Sequence, residues 1–464
     1  MKKFTEIIAE NRNRLNVAMS LRIPEIPINT KAGLNNDQSE ALKSLLSGEN
    51  CFLTGSAGTG KSFLLRRFMD LSRAASKSVL VAAPTKIAAR HLNGRTLHST
   101  FNVPFEEDGI LSPNDCAFDD ASWDLMTQGD VYRLKKYQRI HGCDTLLIDE
   151  ISMVRADVFK RVIEFLREEE YRTGHHVQVV CCGDFFQIAP VICSEDRAAW
   201  QSLYPDNPDG YAFLSPEWQD LGLRTLELRQ VMRQKDRDLA EALDYIRRGD
   251  PDGLGRRWIL DHCAKKPVPN VCTLCGTKDE ADSINNRELD KIVGKAVEIE
   301  TRITNPAKLR KSRMLVGQTL RLKPGAPVMT VVNDRDGRFC NGSRGVVVSI
   351  DKDLEFVRVW MDDLRMEIDI TPYEWKNYTQ FPLALAWACT FHKAQGATFD
   401  SVNISANSIW EAGQLYVALS RCTDISRMYI DGDFSRLLLP PDQAVVRFYE
   451  QEARKAEALA RLTA

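Results

Sequence analysis

The sequence contains no apolar run long enough to cross a lipid bilayer. A membrane-spanning helix needs about 20 consecutive apolar residues, and no segment of the 464-residue chain approaches that length. The first residues, Met1-Lys2-Lys3, lead into further charged residues and not into the apolar centre of a secretory signal. These absences exclude an integral membrane protein, and we expect a cytoplasmic, nucleoid-associated protein without membrane partners.

The sequence also lacks a net charge of either sign. Its 62 lysines and arginines are opposed by 64 aspartates and glutamates, which leaves a formal net charge of -2. This balance excludes a uniformly basic nucleic-acid binder. A motor, however, needs positive potential only along the groove that holds a strand, so a nucleic-acid partner stays open.

The twelve cysteines are predicted to be reduced, because most lie inside apolar runs of a long chain without a signal peptide. Cys272 and Cys275 form a single CxxC, which raises the alternative of a zinc site. The surrounding residues are typical of a strand that leads into a helix, and strand alternation would point the two sulfurs to opposite faces. We therefore expect no stoichiometric zinc.

Length and pattern predict two α/β lobes, because 464 residues with 44% apolar content exceed one ordinary core. Strand-like runs alternate with helical patterns, which predicts parallel sheets flanked by helices. The first lobe is predicted to comprise residues 34–101 and 144–224, with strands at 51–54, 79–83, 146–148 and 177–182. The second lobe is predicted to comprise residues 225–340 and 381–440, with its alternation beginning near Thr225.

Four further segments complete the predicted organisation. Residues 102–143 are rich in Asp, Pro and Gly and look like an insertion, either a solvated loop and helix or a duplex-facing element. Short period-two segments within residues 341–380 predict a small β-barrel inserted in the second lobe. Residues 1–33 form an N-terminal extension, and residues 441–464 are predicted to form one amphipathic helix.

The sharpest motif is a glycine-rich loop between a predicted strand and a predicted helix. It reads Gly55-Ser56-Ala57-Gly58-Thr59-Gly60-Lys61-Ser62. Such a loop turns its backbone N–H groups toward phosphates, while the lysine reaches the β- and γ-phosphates and the last hydroxyl ligates magnesium. The spacing therefore predicts ATP binding by Gly55, Ala57, Gly58, Thr59, Gly60, Lys61 and Ser62, with Mg²⁺ as cofactor.

A second motif supplies two carboxylates. The apolar run Leu146-Leu147-Ile148 ends in Asp149-Glu150, which a parallel sheet would place at the same edge as the phosphate loop. Asp149 is predicted to hold magnesium, and Glu150 is predicted to position or deprotonate the attacking water. Alone, an apolar run that ends in two acids is a weak signal, but it is strong beside a phosphate loop.

ATP hydrolysis coupled to motion also needs a group that senses the γ-phosphate and positive charge brought across a cleft. Gln187 follows a buried strand in Gly183-Asp184-Phe185-Phe186-Gln187 and is the candidate sensor. Arg233 and Arg421 lie in the predicted second lobe and are candidate arginine fingers.

At this point the residues resemble the ordered motifs of superfamily 1 helicases. Besides the phosphate loop, the matching segments are Gln38, Thr96-Leu97-His98-Ser99, Asp149-Glu150-Ile151-Ser152-Met153, Gly183 to Gln187, Val231-Met232-Arg233-Gln234, His392-Lys393-Ala394-Gln395-Gly396 and Tyr416-Val417-Ala418-Leu419-Ser420-Arg421. The set most resembles the petite-integration-frequency (PIF-type) helicases, with the RecD and phage Dda enzymes as relatives. The resemblance covers residues 34 to 432.

The resemblance implies two RecA-like P-loop lobes, a small wedge subdomain at residues 102–143 and an SH3-like barrel at residues 341–380. It implies that Gln38 reads the adenine, that Gln187 contacts the γ-phosphate, and that Arg233 and Arg421 close the cleft. It further implies that the single-strand path is lined by Thr85, Thr96, His98, His392 and Lys393. An ordinary packed histidine is the alternative for His392, whose neighbours Trp387 and Phe391 are apolar.

The motifs and the resemblance together predict an ATP-dependent helicase that moves 5′ to 3′ on single-stranded DNA and unwinds tailed or forked duplexes as a monomer. Quadruplexes and RNA–DNA hybrids are further substrates that the resemblance implies. One alternative is a DNA-stimulated ATPase that remodels nucleoprotein complexes without separating strands. The other is a nucleotide-switched DNA-binding module without enzymatic turnover, against which an intact Glu150 argues.

Overall fold

The computed structural model of this protein describes residues 33–101, 110, 140, 142–231, 237–305, 316–332, 334, 337–339, 341–362, 364–375, 377–395, 397–432 and 438–463. The segment 1–32, nearly all of the predicted wedge at 102–143, and the candidate finger Arg233 lie outside these residues. None of the helices within them combines the length and apolar character that crossing a membrane requires.

The first lobe is built on a six-stranded parallel sheet. Its strands are β1 (Cys51–Gly55), β2 (Val79–Ala83), β3 (Arg95–Thr96), β4 (Thr145–Ile148), β5 (Gln178–Cys182) and β6 (Arg224–Leu228). They lie side by side in the order β3-β2-β4-β5-β1-β6. Most positions of β1, β4 and β5 are fully buried, as expected for parallel strands that are covered on both faces.

Two separate apolar cores cover the two faces of this sheet. Alternate residues of β1 point to opposite sides, so Phe52 belongs to one core and Leu53 to the other. The helices around the lobe are α1 (Asn36–Ser47), α2 (Lys61–Ala74), α3 (Lys86–His91), α4 (Leu97–Phe101), α5 (Ala156–Thr173), α6 (Arg197–Leu203) and α7 (Pro216–Asp220). The four strands that the sequence predicts for this lobe occur as β1, β2, β4 and β5, whereas β3 was not predicted.

The predicted boundary between the lobes at residue 225 is wrong. Thr225 pairs with Phe52 of β1, and the pairing continues to Leu228 opposite Gly55. The strand therefore belongs to the first sheet. β6 lies at the edge of the sheet and is covered less completely than its neighbours, so buried and less buried residues alternate along it. This alternation differs from the continuous apolar runs of the other strands, which is why the sequence suggests a new lobe here.

The second lobe contains a four-stranded parallel sheet in the order β18-β7-β19-β20. Its strands are β7 (Thr273–Cys275), β18 (Ala388–Thr390), β19 (Val402–Ser405) and β20 (Met428–Asp431). Its helices are α8 (Arg237–Arg247), α9 (Leu254–His262), α10 (Lys278–Lys291), α11 (Phe391–Ala394) and α12 (Gln414–Ser420). The predicted strand that leads from the CxxC into a helix is confirmed as β7 and α10, and Thr277 caps the helix.

Antiparallel strands are inserted in the second lobe, but over a wider range than predicted. They are β8 (Val297–Glu300), β9 (Arg302–Ile303), β10 (Thr319–Leu322), β11 (Pro327–Thr330), β12 (Arg344–Ile350), β13 (Val357–Met361), β14 (Met366–Ile370), β15 (Tyr373–Glu374), β16 (Tyr378–Gln380) and β17 (Leu383–Leu385). The main sheet has the order β14-β13-β12-β11-β17. Because β11 and β17 are integral to this sheet, the predicted bounds at 341 and 380 are wrong.

The predicted C-terminal helix is confirmed as α13 (Gln443–Thr463). It returns to the first lobe, where Val445 and Phe448 join the same core as Phe52. The Phe448 ring stacks on Phe213 with centroids 4.5 Å apart. The end of the described chain is therefore part of the first lobe, with its apolar face buried in that core.

Candidate nucleotide site and strand path

The phosphate loop connects β1 to α2, as the motif predicts. Gly58 and Gly60 adopt positive φ angles of 83° and 86°, a region that glycine enters without steric cost. Gly55 is required for packing, since a Cβ there would lie 2.4 Å from the Leu228 carbonyl oxygen. The loop therefore depends on its glycines, and it brings Lys61 and Ser62 to the first turn of α2.

The Lys61 ammonium folds back over this loop. Its Nζ donates to the carbonyl oxygens of Gly55 at 2.7 Å and Ser56 at 3.1 Å. The Thr59 hydroxyl also donates to Ser56, at 2.9 Å. The positive charge is thus held in the concave side of the loop, where phosphate oxygens would replace the two carbonyls as its partners.

Gln38 reaches the same loop from the N-terminal end of α1. Its side-chain Nε2 donates to the Thr59 carbonyl at 3.1 Å, and its Oε1 accepts from the Asn35 N–H at 3.2 Å. The Asn35 side chain in turn accepts from the Gln38 N–H at 2.8 Å, which completes a capping box. The structure therefore places Gln38 beside the phosphate loop, while its reading of adenine stays a prediction.

The predicted magnesium ligand Asp149 and the predicted catalytic Glu150 lie at the end of β4. Asp149 is buried, its N–H donates to the Ala82 carbonyl at 2.9 Å, and its Oδ1 accepts from the Glu150 N–H at 3.0 Å. Glu150 adopts a left-handed φ of 51°, which turns the chain away from the strand. Burial, and then the charge of Glu150, raise the pKa of Asp149 to about 7, against the opposing charge of Lys61.

The donor set at this edge fits magnesium. A buried carboxylate beside a second carboxylate would be stabilised by a divalent cation, and Asp149 and Ser62 offer the oxygen ligands that Mg²⁺ prefers. Among the described residues no group of three or more acidic, histidine or cysteine side chains is arranged to hold a metal ion. An ion at this site would therefore complete its coordination with phosphate oxygens and water, as magnesium does with nucleotides.

Gln187 lies where the first lobe meets the second. It is buried, and its Oε1 accepts from Nε2 of the equally buried Gln395 at 3.3 Å. Gly413, at the start of α12, packs so closely that a Cβ would lie 2.7 Å from the Gln187 carbonyl. The predicted sensor is therefore held by two segments of the second lobe, and neither contact was predicted from the sequence.

Tyr416 makes the contact between the second lobe and the phosphate loop. Its hydroxyl accepts from the Ala57 N–H at 2.7 Å and donates to Asp184 Oδ2 at 3.3 Å. Asp184 is fully buried and forms an ion pair with the buried Arg247 of α8 at 2.8 Å. The one sequence signal for this junction is Asp184 itself, because a carboxylate that follows a buried strand needs a partner. Nothing in the sequence indicates that Arg247 is that partner.

Arg421 follows α12, the helix that carries Tyr416. Its Nε donates to the Val417 carbonyl at 3.0 Å and its Nη2 to the Ser420 hydroxyl at 2.9 Å. Burial raises the pKa of the neighbouring Tyr416 hydroxyl, and the Arg421 charge is one of the smaller effects that oppose this rise. The described contacts of Arg421 therefore hold it in the second lobe near Tyr416, and its role as a finger remains a prediction, as does that of Arg233.

The predicted strand-path residues of the first lobe follow strand ends. Thr85 follows β2 and its Oγ1 accepts from the Ala88 N–H at 3.3 Å, while Thr96 ends β3 and its Oγ1 accepts from the Ser99 N–H at 3.2 Å. His98 lies in the next turn, and burial, with a smaller effect of the nearby Arg155 charge, lowers its pKa. The carboxyl ends of neighbouring parallel strands meet at one edge, so these residues share that edge.

The corresponding residues of the second lobe follow β18. Thr390 caps the short helix that carries His392 and Lys393, with its Oγ1 accepting from the Lys393 N–H at 3.4 Å. The Nε2 atom of His392 lies 3.8 Å from Glu411 Oε2, and burial lowers the pKa of the imidazole. Burial therefore disfavours the charged form of both predicted histidines, and it also lowers the pKa of Lys393.

The chain is similar to known helicases over most of its length. The family model described as PIF1-like helicase matches residues 33–246. The chain is 32% identical over 436 residues to the ATP-dependent DNA helicase Pif1 of Bdellovibrio bacteriovorus, covering 90% of this chain and 92% of that protein. It is 31% identical over 449 residues to the ATP-dependent DNA helicase PIF1 of Xenopus laevis, covering 92% of this chain and 66% of that protein. The chain thus spans about two thirds of the vertebrate relative.

The fold is similar as well. The crystal structure of Bacteroides Pif1 bound to single-stranded DNA superimposes with a TM-score of 0.76 at 29% identity, covering 92% of this chain and 98% of that one. This agreement over both lobes confirms the predicted α/β architecture.

Proposed function

This chain belongs to the PIF1-like helicase family, and from that membership we propose that it is an ATP-dependent DNA helicase. It translocates 5′ to 3′ along single-stranded DNA and unwinds tailed or forked duplexes. The observation that carries the proposal is the contact of the Tyr416 hydroxyl with the Ala57 N–H, because it joins the phosphate loop of one lobe to the second lobe. A nucleotide on that loop lies at the junction of two lobes, where its binding and hydrolysis change how they meet.

Each residue at the loop has a distinct proposed role. Lys61 neutralises charge on the β- and γ-phosphates. Ser62 and Asp149 would hold magnesium, which would supply further positive charge to the phosphates. Glu150 orients and deprotonates the attacking water. Gln38 is proposed to bind the adenine.

The remaining roles belong to the lobe junction. Gln187 senses the γ-phosphate from the end of the segment that follows β5. Arg421 and Arg233 supply positive charge from the second lobe when the cleft closes. Because one chain contains both lobes, a monomer is sufficient for this cycle.

The strand path is proposed to run over the carboxyl ends of both parallel sheets. Thr85, Thr96 and His98 contribute from the first lobe, and His392 and Lys393 from the second. The solved Bacteroides Pif1 is bound to single-stranded DNA, which supports a strand at the equivalent place here. Binding is expected to weaken with salt, because cations along the path that contact phosphates release counterions.

The polarity is tested with two duplexes that carry equal single-stranded tails, one 5′ and one 3′. With ATP present, the 5′-tailed duplex is unwound and the 3′-tailed one is not. The reverse preference contradicts the polarity and leaves the motor assignment in place. ATP turnover without strand separation on either duplex would favour the nucleoprotein-remodelling alternative, and ATP bound without turnover would favour the DNA-binding switch.

Quadruplexes and RNA–DNA hybrids are proposed as further substrates on the family resemblance alone. The same assay tests them if the duplex region is replaced by a 5′-tailed quadruplex or a 5′-tailed hybrid. Unwinding confined to DNA duplexes would contradict this extension.

A further inference from the structure

The buried carboxylate of Asp184 accepts hydrogen bonds from three distant parts of the chain. Asp184 follows β5, and its two oxygens accept from Nε and Nη2 of Arg247 at 2.8 to 3.2 Å. Oδ2 also accepts from the Tyr416 hydroxyl at 3.3 Å, and Oδ1 from the Tyr449 hydroxyl at 3.4 Å. The carboxylate thus connects the first lobe with α8, α12 and α13.

The Tyr449 hydroxyl connects the ends of two first-lobe strands. It lies 2.8 Å from Thr54 Oγ1, next to Gly55 at the start of the phosphate loop, and it accepts from the Phe185 N–H at 3.2 Å. A phenol has one proton and two acceptor positions. If its proton goes to Asp184, then Thr54 and Phe185 donate to it, and the hydrogen-bonding capacity of the hydroxyl is fully used.

Tyr416 makes a matching pair of bonds on the other side of Asp184. Its hydroxyl accepts from the Ala57 N–H of the phosphate loop and donates its proton to the carboxylate. Burial and the negative charge of Asp184 raise the pKa of both tyrosines. Both hydroxyls therefore stay protonated and act as neutral donors over the whole working pH range.

The aromatic ring of Tyr449 is held independently of its hydroxyl. It stacks on Phe186 with centroids 4.8 Å apart and an interplanar angle of 19°. The Arg247 guanidinium lies 4.4 Å from the centroid of the same Phe186 ring. Removing only the hydroxyl therefore keeps the packing of α13, which makes Tyr449→Phe a clean probe of the hydrogen bonds.

We propose that Tyr449 is a positioning residue of the ATP site, which acts with Tyr416 through Asp184 to fix the phosphate loop relative to Gln187. Gln187 is tied to the same point, because its N–H donates to the Asp184 carbonyl at 3.0 Å. The inference rests on the proposed nucleotide role of the phosphate loop. It extends the ATP site to a helix that follows the last helicase motif, which ends at Arg421.

The test compares Tyr449→Phe, Tyr416→Phe and the double variant in the full-length chain, with ATP turnover measured at saturating single-stranded DNA. Each single change removes hydrogen bonds that involve a charged acceptor, so kcat falls by about five- to tenfold. Because both tyrosines act through Asp184, the kcat of the double variant is no more than about twofold below that of the less active single variant. Tyr171→Phe is the control, since the Tyr171 side chain is 89% exposed, and it leaves kcat unchanged.

A second variant tests the same bond from its other partner. Thr54→Val removes the hydroxyl that faces Tyr449 while keeping the side-chain shape, and its effect on kcat is not additive with that of Tyr449→Phe. An unchanged kcat in Tyr449→Phe, with only a lower melting temperature, shows that the hydrogen bonds of Tyr449 contribute to stability alone and overturns the inference. If the fold reductions in kcat of the single variants multiply in the double variants, the residues act independently and the shared route through Asp184 is wrong.

The Lys61→Ala variant separates this inference from the assignment beneath it. If Lys61→Ala abolishes turnover and Tyr449→Phe changes nothing, the positioning role is wrong while the phosphate-loop assignment stands. If Lys61→Ala still hydrolyses ATP at the wild-type rate, the phosphate-loop assignment is wrong and this inference falls with it.

Discussion

The side-chain amides of Gln187 and Gln395 meet across the two lobes, with Gln395 Nε2 donating to Gln187 Oε1 at 3.3 Å. Gln187 follows β5 in the first lobe, and Gln395 directly follows the helix that carries His392 and Lys393. One end of this pair lies at the proposed γ-phosphate sensor and the other beside proposed DNA contacts. We therefore expect the pair to provide a direct route by which a bound strand influences ATP hydrolysis.

We expect Gln395→Ala to lower DNA-stimulated ATP turnover by roughly fivefold, because the Gln187 amide loses a neutral hydrogen bond of about 1 kcal/mol that orients it. The measurement is kcat over a series of single-stranded DNA concentrations. Gln219→Ala is the matched control, since Gln219 is exposed and donates to Phe213 within the first lobe. Wild-type stimulation in Gln395→Ala would contradict the route.

Lys61→Ala and Glu150→Gln should fail at different steps of the ATP cycle. Lys61→Ala abolishes turnover, because the transferred phosphate loses the positive charge that the loop concentrates. Glu150→Gln keeps ATP binding and loses hydrolysis, because an amide cannot take the proton of the attacking water. Nucleotide binding is measured by fluorescence titration and turnover by phosphate release, and wild-type turnover in either variant contradicts the assignment.

Local patterns in the sequence were sufficient to predict the strands and loop that hold the nucleotide. The phosphate loop needs glycines at fixed positions, and the buried strands before it and before Asp149 are short apolar runs, so both are visible in one window of the chain. The burial of β1, β4 and β5 on both faces made their runs continuous and therefore easy to recognise.

The junction around Asp184 could not be predicted in the same way. Arg247 and Tyr449 lie 63 and 265 residues away from it along the chain. No local pattern distinguishes this arginine from the other cationic residues, because its partner is set by how the lobes and α13 pack. The bounds of the inserted strands could not be predicted for a related reason, since β11 and β17 are short and pair with each other across β12 to β16.

We expect removal of a part of the inserted strands to destabilise the protein more than removal of all of them. Replacing residues 341–380 with a Gly/Ser linker removes β12, which pairs with β11, and leaves the buried Val328 and Leu383 without their core. Each exposed side chain costs about 1.5–3 kcal/mol. We therefore expect a low melting temperature and poor soluble yield.

Replacing residues 293–386 instead removes every strand from β8 to β17 and keeps β7 paired with β18. This variant should retain measurable DNA-stimulated ATP turnover, because none of the nucleotide-contacting motifs lies in the removed segment. Its unwinding of a 5′-tailed duplex should be reduced. Unwinding at the full rate would show that the inserted strands are incidental to coupling, and a stable 341–380 excision would contradict the sheet pairing.

Glu411 gives the pH prediction. It lies beside Gln414, whose Nε2 donates to Glu411 Oε2 at 3.5 Å, and His392 Nε2 lies 3.8 Å from the same oxygen. Burial, and then the charge of Asp209, raise the pKa of Glu411 from 4.5 to about 7, against the opposing effects of Gln414 and Arg197. The folded state therefore favours the protonated carboxyl.

The sign of the effect follows from linkage. Because the folded-state pKa lies above the unfolded one, the stabilisation is fully present below about pH 4.5 and is lost as the pH rises through about 7. A shift of this size corresponds to roughly 3 kcal/mol. Glu411→Gln keeps an oxygen for Gln414 and cannot ionise, so its melting temperature relative to the wild type should rise between pH 5.5 and pH 8. The exposed Glu457→Gln is the control, and a difference that stays constant with pH would show that Glu411 titrates normally.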